Sequence, residues 1–249
     1  MTNERFAPDP SLSRAEMESL QHDIAENATF ADDLDVTPED VWRGDAVVAG
    51  VDQAFLTDSD PEQAVSAVVV TRGDEVIERT HAVTELSIPY VPGLLAFREG
   101  GPILAALETL DAEPDLYLYD GSGRIHLREA GLATHMGVVT DTPSIGVAKS
   151  LLCGEPREPV DALAEGERVP IEADERVTAP SGTVIGYAYQ SRQYPESRRI
   201  NPLYVSPGHR VSAATAVDLV AACGGEYKLP EPTRLADAYA DEVKRKEQS

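Results

Sequence analysis

Several charged side chains in this sequence stand beside apolar runs, where an unpaired charge is costly. Asp52 lies within the apolar segment 47–55, and Asp120 ends the short run 116–119. Packed together, such acids cannot all remain ionised without a cation between them. Carboxylate oxygens suit Mg²⁺ or Mn²⁺, and the chain has no Cys and His cluster for zinc. The groups that we expect to converge are Asp52, Glu99, Asp120, Asp237 and Lys149.

Lys149 stands out among the basic residues. Only four of the 21 basic residues are lysine, and the other three lie near the C-terminus. Lys149 directly follows the apolar run 143–148, where a compact ammonium differs chemically from a planar guanidinium. A chance exposed lysine is the alternative. Beside the acids, its charge would stabilise a phosphate or position attacking water, so composition and spacing predict metal-dependent phosphoryl transfer.

The elements that position these groups form an α/β pattern. Segments 47–55, 64–71 and 75–83 predict three antiparallel strands, the last two joined by a turn at 72–74. A strand at 116–119, a helix around 132–138 and a strand at 143–148 then form a strand-helix-strand unit. Ligands of open α/β sheets bind beyond the carboxyl ends of the strands, where Asp120 and Lys149 lie.

The other segments are expected to frame this unit. Residues 1–10 are typical of a loose tail, and Ser13 with Glu16 forms a capping box for a first helix. We expect loops at 31–45 and 155–176, and a helix from residue 94 that is broken at 100–102. Further predictions are a strand at 183–189, a turn at 206–209 and helices beginning at 212 and 231.

Length and composition set the class of protein. The 249 residues fit one α/β domain over residues 1–249, and no apolar run approaches the roughly 18 residues of a membrane span. The N-terminus lacks the apolar centre of a signal peptide. Cys153 and Cys223 are too few and too far apart for a disulfide framework or a zinc site. We expect a cytoplasmic monomer that does not bind membranes.

The net charge of −23 argues against a nucleic-acid partner, unless the solvent is very salty. Many acids and few lysines are typical of proteins from salt-accumulating cells. At about 1 M salt the Debye length is only ~3 Å, which screens diffuse repulsion from DNA. The basic residues Arg192, Arg198, Arg199 and Arg210 form a local island with one acid, Glu196. Phosphate contact and the balancing of nearby acids explain this island equally well.

The loop 88–93 holds an aromatic side chain between two prolines. Pro89 and Pro92 restrict the backbone on either side of Tyr90. A partly buried loop tyrosine is one interpretation. The other is a wedge that opens a base step in a nucleic-acid duplex.

Seven strings carry a resemblance to a known family: VAGVD, PYVPGLLAFRE, YDGSG, GLATHMG, IGVAKS, VSPGHRVS and PEPTRLAD, in this order. They resemble those of endonuclease V, the deoxyinosine-directed DNA repair nuclease. The resemblance implies a ribonuclease H-like α/β fold, a mixed sheet with three antiparallel strands and then parallel strands, flanked by helices. It also implies Mg²⁺-dependent hydrolysis of the second phosphodiester bond 3′ to deoxyinosine, leaving 3′-hydroxyl and 5′-phosphate ends.

The resemblance also implies roles for individual residues. Asp52 and Asp120 would be the central metal ligands, with Mn²⁺ as a substitute for Mg²⁺. Glu99 would complete the acidic site, Asp237 would contact the metal through water or position a partner, and Lys149 would be the catalytic lysine. The strand-separating wedge and the pocket for the extruded base would be formed by Tyr90, Gly93, Leu95, Gly121, His126 and Leu132. His126 alone fits a satisfied loop histidine equally well.

Two alternatives to a DNA nuclease remain at this point. An inosine-specific endoribonuclease could use the same pocket, because reading a flipped base does not require rejecting a ribose. A non-catalytic protein that binds damaged bases or RNA could use the same groove. A general metal phosphatase fits less well, because the loop 88–93 and the arginine island would have no role in it.

The acidic composition generates a prediction about salt. If the acids adapt the surface to a salty solvent, refolding yield and activity should fall as KCl is lowered, because the unscreened acids repel one another. The measurement is a titration of both quantities against KCl concentration. A protein that is stable and active in low salt would contradict this explanation of its charge.

Overall fold

The computed structural model describes residues 3–194 and 200–248. The strands of these residues are β1 Val47–Leu56, β2 Gln63–Arg72, β3 Glu75–Glu85, β4 Leu116–Asp120, β5 Ser144–Ala148, β6 Glu155–Pro156, β7 Arg168–Glu172, β8 Val184–Tyr189 and β9 Leu203–His209. The helices are α1 Arg14–Asn27, α2 Pro38–Arg43, α3 Leu95–Leu107, α4 Leu132–Thr140, α5 Ala213–Ala222 and α6 Glu231–Glu247, after a short 3₁₀ turn at Glu4–Phe6.

All nine described strands form one mixed sheet in the order β3-β2-β1-β4-β5-β9-β8-β7-β6. The predicted antiparallel meander is confirmed, since β2 pairs antiparallel with both β1 and β3. The predicted strand-helix-strand unit is also confirmed, because β4 pairs parallel with β1 and β5 pairs parallel with β4. Beyond β5 the pairing becomes antiparallel again through β9, β8, β7 and β6.

Helices cover both faces of this sheet, and strand alternation divides the core between them. Ala49 and Val51 pack with α3 and α4 on one face. Val48 packs on the other face, in the cluster that includes α5, and Ala54 packs on that same face against α6. Successive side chains of a strand point to opposite faces, so Asp52 belongs to the face of Val48 and Ala54.

A close approach of backbones fixes α6 on the strand that carries Asp52. A β-carbon at Gly50 would lie 2.1 Å from the carbonyl carbon of Pro232, in the first turn of α6. Only glycine allows this contact. The contact holds α6, and with it Asp237, over the carboxyl end of β1.

Two segments expected to be irregular are strands instead. The predicted turn at 206–209 is wrong, because these residues are buried in β9 and pair with β5. Pro207 misled the prediction, since proline cannot donate to a sheet ladder; the structure accommodates it at a register shift opposite Ser144 and Ile145. The predicted loop at 155–176 contains β6 and β7, which extend the sheet at its edge.

Three further expectations are corrected. The helix expected to break at 100–102 is continuous, because Phe97, Ile103 and their neighbours bury a face of α3 that offsets the bond lost at Pro102. The segment 31–45 contains α2, capped by a Thr37 and Asp40 capping box. The expected loose tail is anchored at Phe6, which is 2% exposed and packs with Ile24 and Val139. No helix within the described residues has the length and apolar character that a membrane span needs.

His135, in α4, is fully buried and generates a prediction about pH. One ring nitrogen, Nε2, lies 2.7 Å from the carbonyl oxygen of Phe6, to which it donates, and Nδ1 is buried without a partner among the described residues. Burial lowers the pKa of His135 from 6.5 to about 4. The unfolded chain therefore takes up this proton first as the pH falls, and the folded state loses stability between about pH 6.5 and pH 4.

Between neutral pH and about pH 4, we expect the unfolding free energy of His135→Gln to fall by roughly 3 kcal/mol less than that of wild type. Urea denaturation at both pH values in concentrated KCl measures it. His22→Gln, at an exposed position of α1, is the control and should leave the pH dependence unchanged. Equal pH dependence in wild type and His135→Gln would contradict the assignment.

Candidate active site

Strand register brings Asp52 and Asp120 to the same edge and face of the sheet. Val51 of β1 pairs with Tyr119 of the parallel strand β4, so Asp52 and Asp120 follow one step later at neighbouring positions. Residues that pair in register on adjacent strands point to the same face. The two carboxylates predicted to share a cation therefore lie side by side at the carboxyl ends of their strands.

Lys149 and Asp237 join this pair from two other elements. Lys149 follows β5, the strand next to β4, and its Nζ lies 2.7 Å from Oδ2 of Asp120. Asp237 comes from α6, and its Oδ1 lies 4.0 Å from the same Nζ. The side chains of Lys149 and Asp237 are about half exposed, at 50% and 49%, whereas Asp120 is more enclosed at 21%. The predicted convergence of these groups is therefore what the structure shows.

Asp52 is the most constrained acid of the site. It is 8% exposed; Oδ1 accepts the backbone N–H of Gln53 at 2.7 Å, and Oδ2 is buried with no partner in the described part of the chain. Burial first, and the charge of Asp120 second, raise the pKa of Asp52 to about 8. A buried carboxylate oxygen without a donor, beside a second carboxylate, is an arrangement that a bound cation would satisfy.

Glu99 approaches the same edge from the other side of the sheet. It lies in α3 and is 8% exposed, and its backbone carbonyl accepts a 3.3 Å hydrogen bond from the side chain of Gln53. Burial raises the pKa of Glu99 to about 7; Arg98 opposes the shift, and the charge of Asp120 adds to it. Glu99 is thus close enough to Asp120 to interact electrostatically.

Lys149 remains a cation in this setting. Burial alone would lower its pKa, but the hydrogen bond and ion pair with Asp120, together with the charges of Asp52 and Asp237, raise it above the ordinary value. The ammonium group therefore offsets part of the repulsion between the carboxylates.

The carboxylates of Asp52 and Asp120 fit Mg²⁺ better than a metal whose ligands must all come from the protein. Among residues 3–194 and 200–248, no three His, Cys, Asp or Glu side chains are arranged to hold an ion. Mg²⁺ keeps several waters and is commonly held by one or two carboxylates together with substrate phosphates. Asp52 and Asp120 supply such a pair, and the unpartnered Oδ2 of Asp52 is the atom that would gain a ligand.

A small, mainly apolar cavity of about 140 Å³ borders this cluster. Its wall contains the predicted wedge, Tyr90, and four of the five predicted pocket residues, namely Gly93, Leu95, His126 and Leu132. The fifth, Gly121, lies behind the wall, where a β-carbon would be 3.2 Å from Cδ2 of Leu132. Tyr90 is 64% exposed, so the loop presents this ring to solvent instead of burying it.

Larger depressions exist, and one of about 310 Å³ includes Lys149 and Ser150 in its wall. One of about 450 Å³ surrounds Trp42, and one of about 870 Å³ lies beside Arg157. The cavity of about 140 Å³ is distinguished by its mainly apolar wall, which contains most of the predicted pocket residues. It also lies next to the acids, because Ala148 and Ser150 line it while Lys149, between them, contacts Asp120. The short segment 148–150 therefore contributes to the walls of both sites.

His126 is a satisfied histidine that also shapes the cavity. It is 3% exposed; Nε2 donates to the carbonyl oxygen of Gly93 at 3.1 Å, and Nδ1 accepts the backbone N–H of Arg128 at 3.2 Å. Burial lowers the pKa of His126 to about 4, so the ring is neutral near pH 7. The two interpretations of this residue are therefore compatible.

The arginine island is not an open phosphate-binding patch in its described part. Arg192 pairs with Glu165 at 2.6 Å, and Arg210 pairs with Asp33 at 3.1 Å. Balancing of neighbouring acids is therefore the correct interpretation for these two residues. Arg198 and Arg199 lie outside the described residues.

Sequence reasoning missed several residues of the cavity wall. Besides Ala148 and Ser150, these are Gln21, Ala96, Ser122, Ala130, Gly131 and Leu152. Most of them are next to predicted site residues along the chain, so the sequence did indicate the segments to which they belong. Gln21 was not indicated in this way, because it lies on α1, which the apolar pattern marks only as a scaffold helix.

A family model described as Endonuclease V matches residues 30–238. The chain belongs to the endonuclease V family. The endonuclease V of the halophilic archaeon Natronomonas pharaonis is 69% identical over 240 residues, covering 96% of this chain and 95% of the relative.

Solved structures of the family agree. The crystal structure of Bacillus subtilis endonuclease V matches with a TM-score of 0.82 and 28% identity, covering 96% of both chains. Endonuclease V of Ciona intestinalis matches with a TM-score of 0.76 and 29% identity over 93% of this chain and 98% of that chain. That protein was solved in complex with a 24mer DNA containing an inosine followed by a ribo-adenosine. The predicted ribonuclease H-like fold is confirmed.

The buried charge of Asp52 generates a prediction about stability. Because its folded pKa is raised from 3.8 to about 8, the unfolded chain releases this proton first, and metal-free protein loses stability as the pH rises between these values. Asp52→Asn should therefore raise the unfolding free energy at about pH 8.5 by on the order of 2 kcal/mol, less than full linkage because the asparagine amide is itself a buried polar group.

Urea denaturation in EDTA and concentrated KCl measures this gain. Asp58→Asn, an exposed change just after the same strand, is the matched control and should have little effect. Destabilisation by Asp52→Asn at that pH would show that the carboxylate is not strained.

Proposed function

We propose that this endonuclease V family member is a metal-dependent DNA repair nuclease directed to deoxyinosine. It would bind the extruded base and hydrolyse the second phosphodiester bond on the 3′ side, leaving 3′-hydroxyl and 5′-phosphate ends. The observation that carries the proposal is the shared wall at residues 148–150, which sets a base-sized cavity beside the acid cluster. The DNA complex of the Ciona relative supports inosine as the recognised base.

The proposal assigns base recognition to the cavity. Leu94, the N-cap residue of α3, makes no side-chain cap, so N–H groups of the first helical turn are left for a ligand, and Leu95 and Ala96 of that turn line the cavity. Backbone donors and apolar walls suit a flat purine. Extrusion costs a few kcal/mol and least at a weak pair, which favours an inosine mispair. Tyr90, exposed at the cavity, would fill the gap left in the stack.

The acid cluster would carry the hydrolysis. Mg²⁺, or Mn²⁺ in its place, would be held by Asp52 and Asp120 and would supply activation of water and neutralisation of phosphate charge. Lys149, cationic beside Asp120, is placed to stabilise negative charge on the phosphate oxygens. Glu99, buried in α3 and close enough to Asp120 to feel its charge, would complete the acidic site. Asp237 would orient Lys149 from α6.

The direct test is cleavage of a duplex carrying one deoxyinosine, in concentrated KCl, with Mg²⁺ or with EDTA. We expect one nick at the second bond 3′ to the lesion, only with metal. Asp52→Ala and Asp120→Ala should each lower the rate by about 10³-fold or more while inosine binding persists. Asp58→Ala is the matched control. Wild type that binds inosine but never nicks would instead identify a damage-binding protein.

An inosine-specific endoribonuclease is the second candidate. The observation that favours it is that the DNA in the Ciona complex contains an inosine followed by a ribo-adenosine. Matched DNA and RNA strands with one inosine, cut side by side, distinguish the two. Faster cleavage of RNA would reassign the substrate while keeping the site and its roles.

A further inference from the structure

Gln21 connects the first helix to the base cavity. It lies in α1, N-terminal to the range 30–238 that the family model matches. The side chain is 1% exposed and lines the cavity together with Gly93. A buried amide needs partners for both its oxygen and its nitrogen, so the identity of these partners indicates what the residue does.

The Gly93 carbonyl receives two hydrogen bonds. Nε2 of Gln21 donates to it at 2.8 Å, and Nε2 of His126 donates to it at 3.1 Å. A carbonyl oxygen has two lone pairs, and both are used here. Gly93 adopts a φ of +81°, which glycine tolerates at low cost but does not enforce. The hydrogen bonds from Gln21 and His126 therefore fix the Gly93 peptide in a conformation that the glycine backbone alone would not hold.

The amide of Gln21 is itself held in one orientation. Its Oε1 accepts a 3.1 Å hydrogen bond from Arg128, whose other terminal nitrogen pairs with Glu18 at 2.8 Å. Arginine only donates and the Gly93 carbonyl only accepts, so the amide cannot be turned over without losing both bonds. The contacts Glu18–Arg128–Gln21–Gly93 therefore connect α1, which carries Glu18 and Gln21, to the turn that precedes α3.

Gly93 sits between the two parts of the proposed recognition machinery. On one side lies Tyr90, in the same tight loop, where the N–H of Leu94 bonds the carbonyl of Val91 at 3.0 Å. On the other side α3 begins at Leu95 with an uncapped first turn. A shift of the Gly93 peptide would move the tyrosine and the backbone donors together.

We propose that Gln21 is a positioning residue for base recognition: its amide, fixed by Arg128, holds the Gly93 turn in the form that accepts an extruded purine. This inference rests on the proposed function and adds α1 to the machinery. Gln21 acts on the base through Gly93, so its loss should weaken selection of the lesion more than the hydrolytic step.

The test compares Gln21→Met with wild type and with His22→Met. Methionine keeps the length of glutamine but cannot donate to Gly93, and His22 is the adjacent exposed position, so His22→Met makes the same replacement outside the cavity. For the deoxyinosine duplex we expect Gln21→Met to raise KM about tenfold with kcat within about twofold, the effect of one well-formed hydrogen bond. Binding to an undamaged duplex and every constant of His22→Met should be unchanged.

A second variant guards against simple destabilisation. Gln21→Glu keeps the volume and the acceptor for Arg128 but places a carboxylate against the Gly93 carbonyl, so it should also raise KM selectively. The melting temperature of each variant is measured in the same buffer. Unchanged KM in a folded variant, or a fall confined to kcat, would overturn the proposal.

Equilibrium binding separates this inference from the proposed function. Wild type that prefers the deoxyinosine duplex but does not cut it would remove the proposed hydrolysis, and the preference lost in Gln21→Met would still support the positioning role. Wild type with no preference for deoxyinosine would overturn both. If wild type cuts deoxyinosine DNA and Gln21→Met keeps the full binding preference for the deoxyinosine duplex, the positioning role alone is overturned.

Discussion

Two carboxyl groups held side by side at the carboxyl ends of adjacent parallel strands are the constraint on which the site depends. In-register pairing of β1 and β4 keeps Asp52 and Asp120 next to each other. Oδ2 of Asp52 is buried and has no hydrogen-bond partner among the described residues. Folding therefore has to stabilise an unfavourable electrostatic arrangement, which the core and Lys149 do. Such stored repulsion is typical of functional sites, where a ligand relieves it.

The same strand geometry explains how one small domain can serve a base and a phosphate at once. At the carboxyl end of β5, Ala148 and Ser150 line the cavity, and Lys149 between them contacts Asp120. A base in the cavity and a phosphate at the acids are thereby separated by the thickness of one chain segment. In the proposed function this fixed offset is what would select a bond displaced from the lesion, because neither site can move without the other.

Local sequence pattern predicted those parts of the structure where an apolar run is also a buried strand. Asp120 and Lys149 directly follow apolar runs, so the ends of β4 and β5 were visible in the sequence. β9 was not, because a proline within it signals a turn and only the partner strand shows the register shift that tolerates it. Gln21 was hidden for the same reason: its partners lie 72 and 107 residues away along the chain.

The acidic surface limits how such a protein can bind a nucleic acid. Arg192 and Arg210 of the described part are engaged by Glu165 and Asp33, so they offer phosphates little free positive charge. Affinity built on counterion release would in any case vanish in concentrated salt. A buried apolar cavity and a short-range acid cluster depend much less on ionic strength. In the proposed function, recognition of a base enclosed in the cavity would therefore be the binding mode that a chain of net charge −23 could retain in a salty solvent.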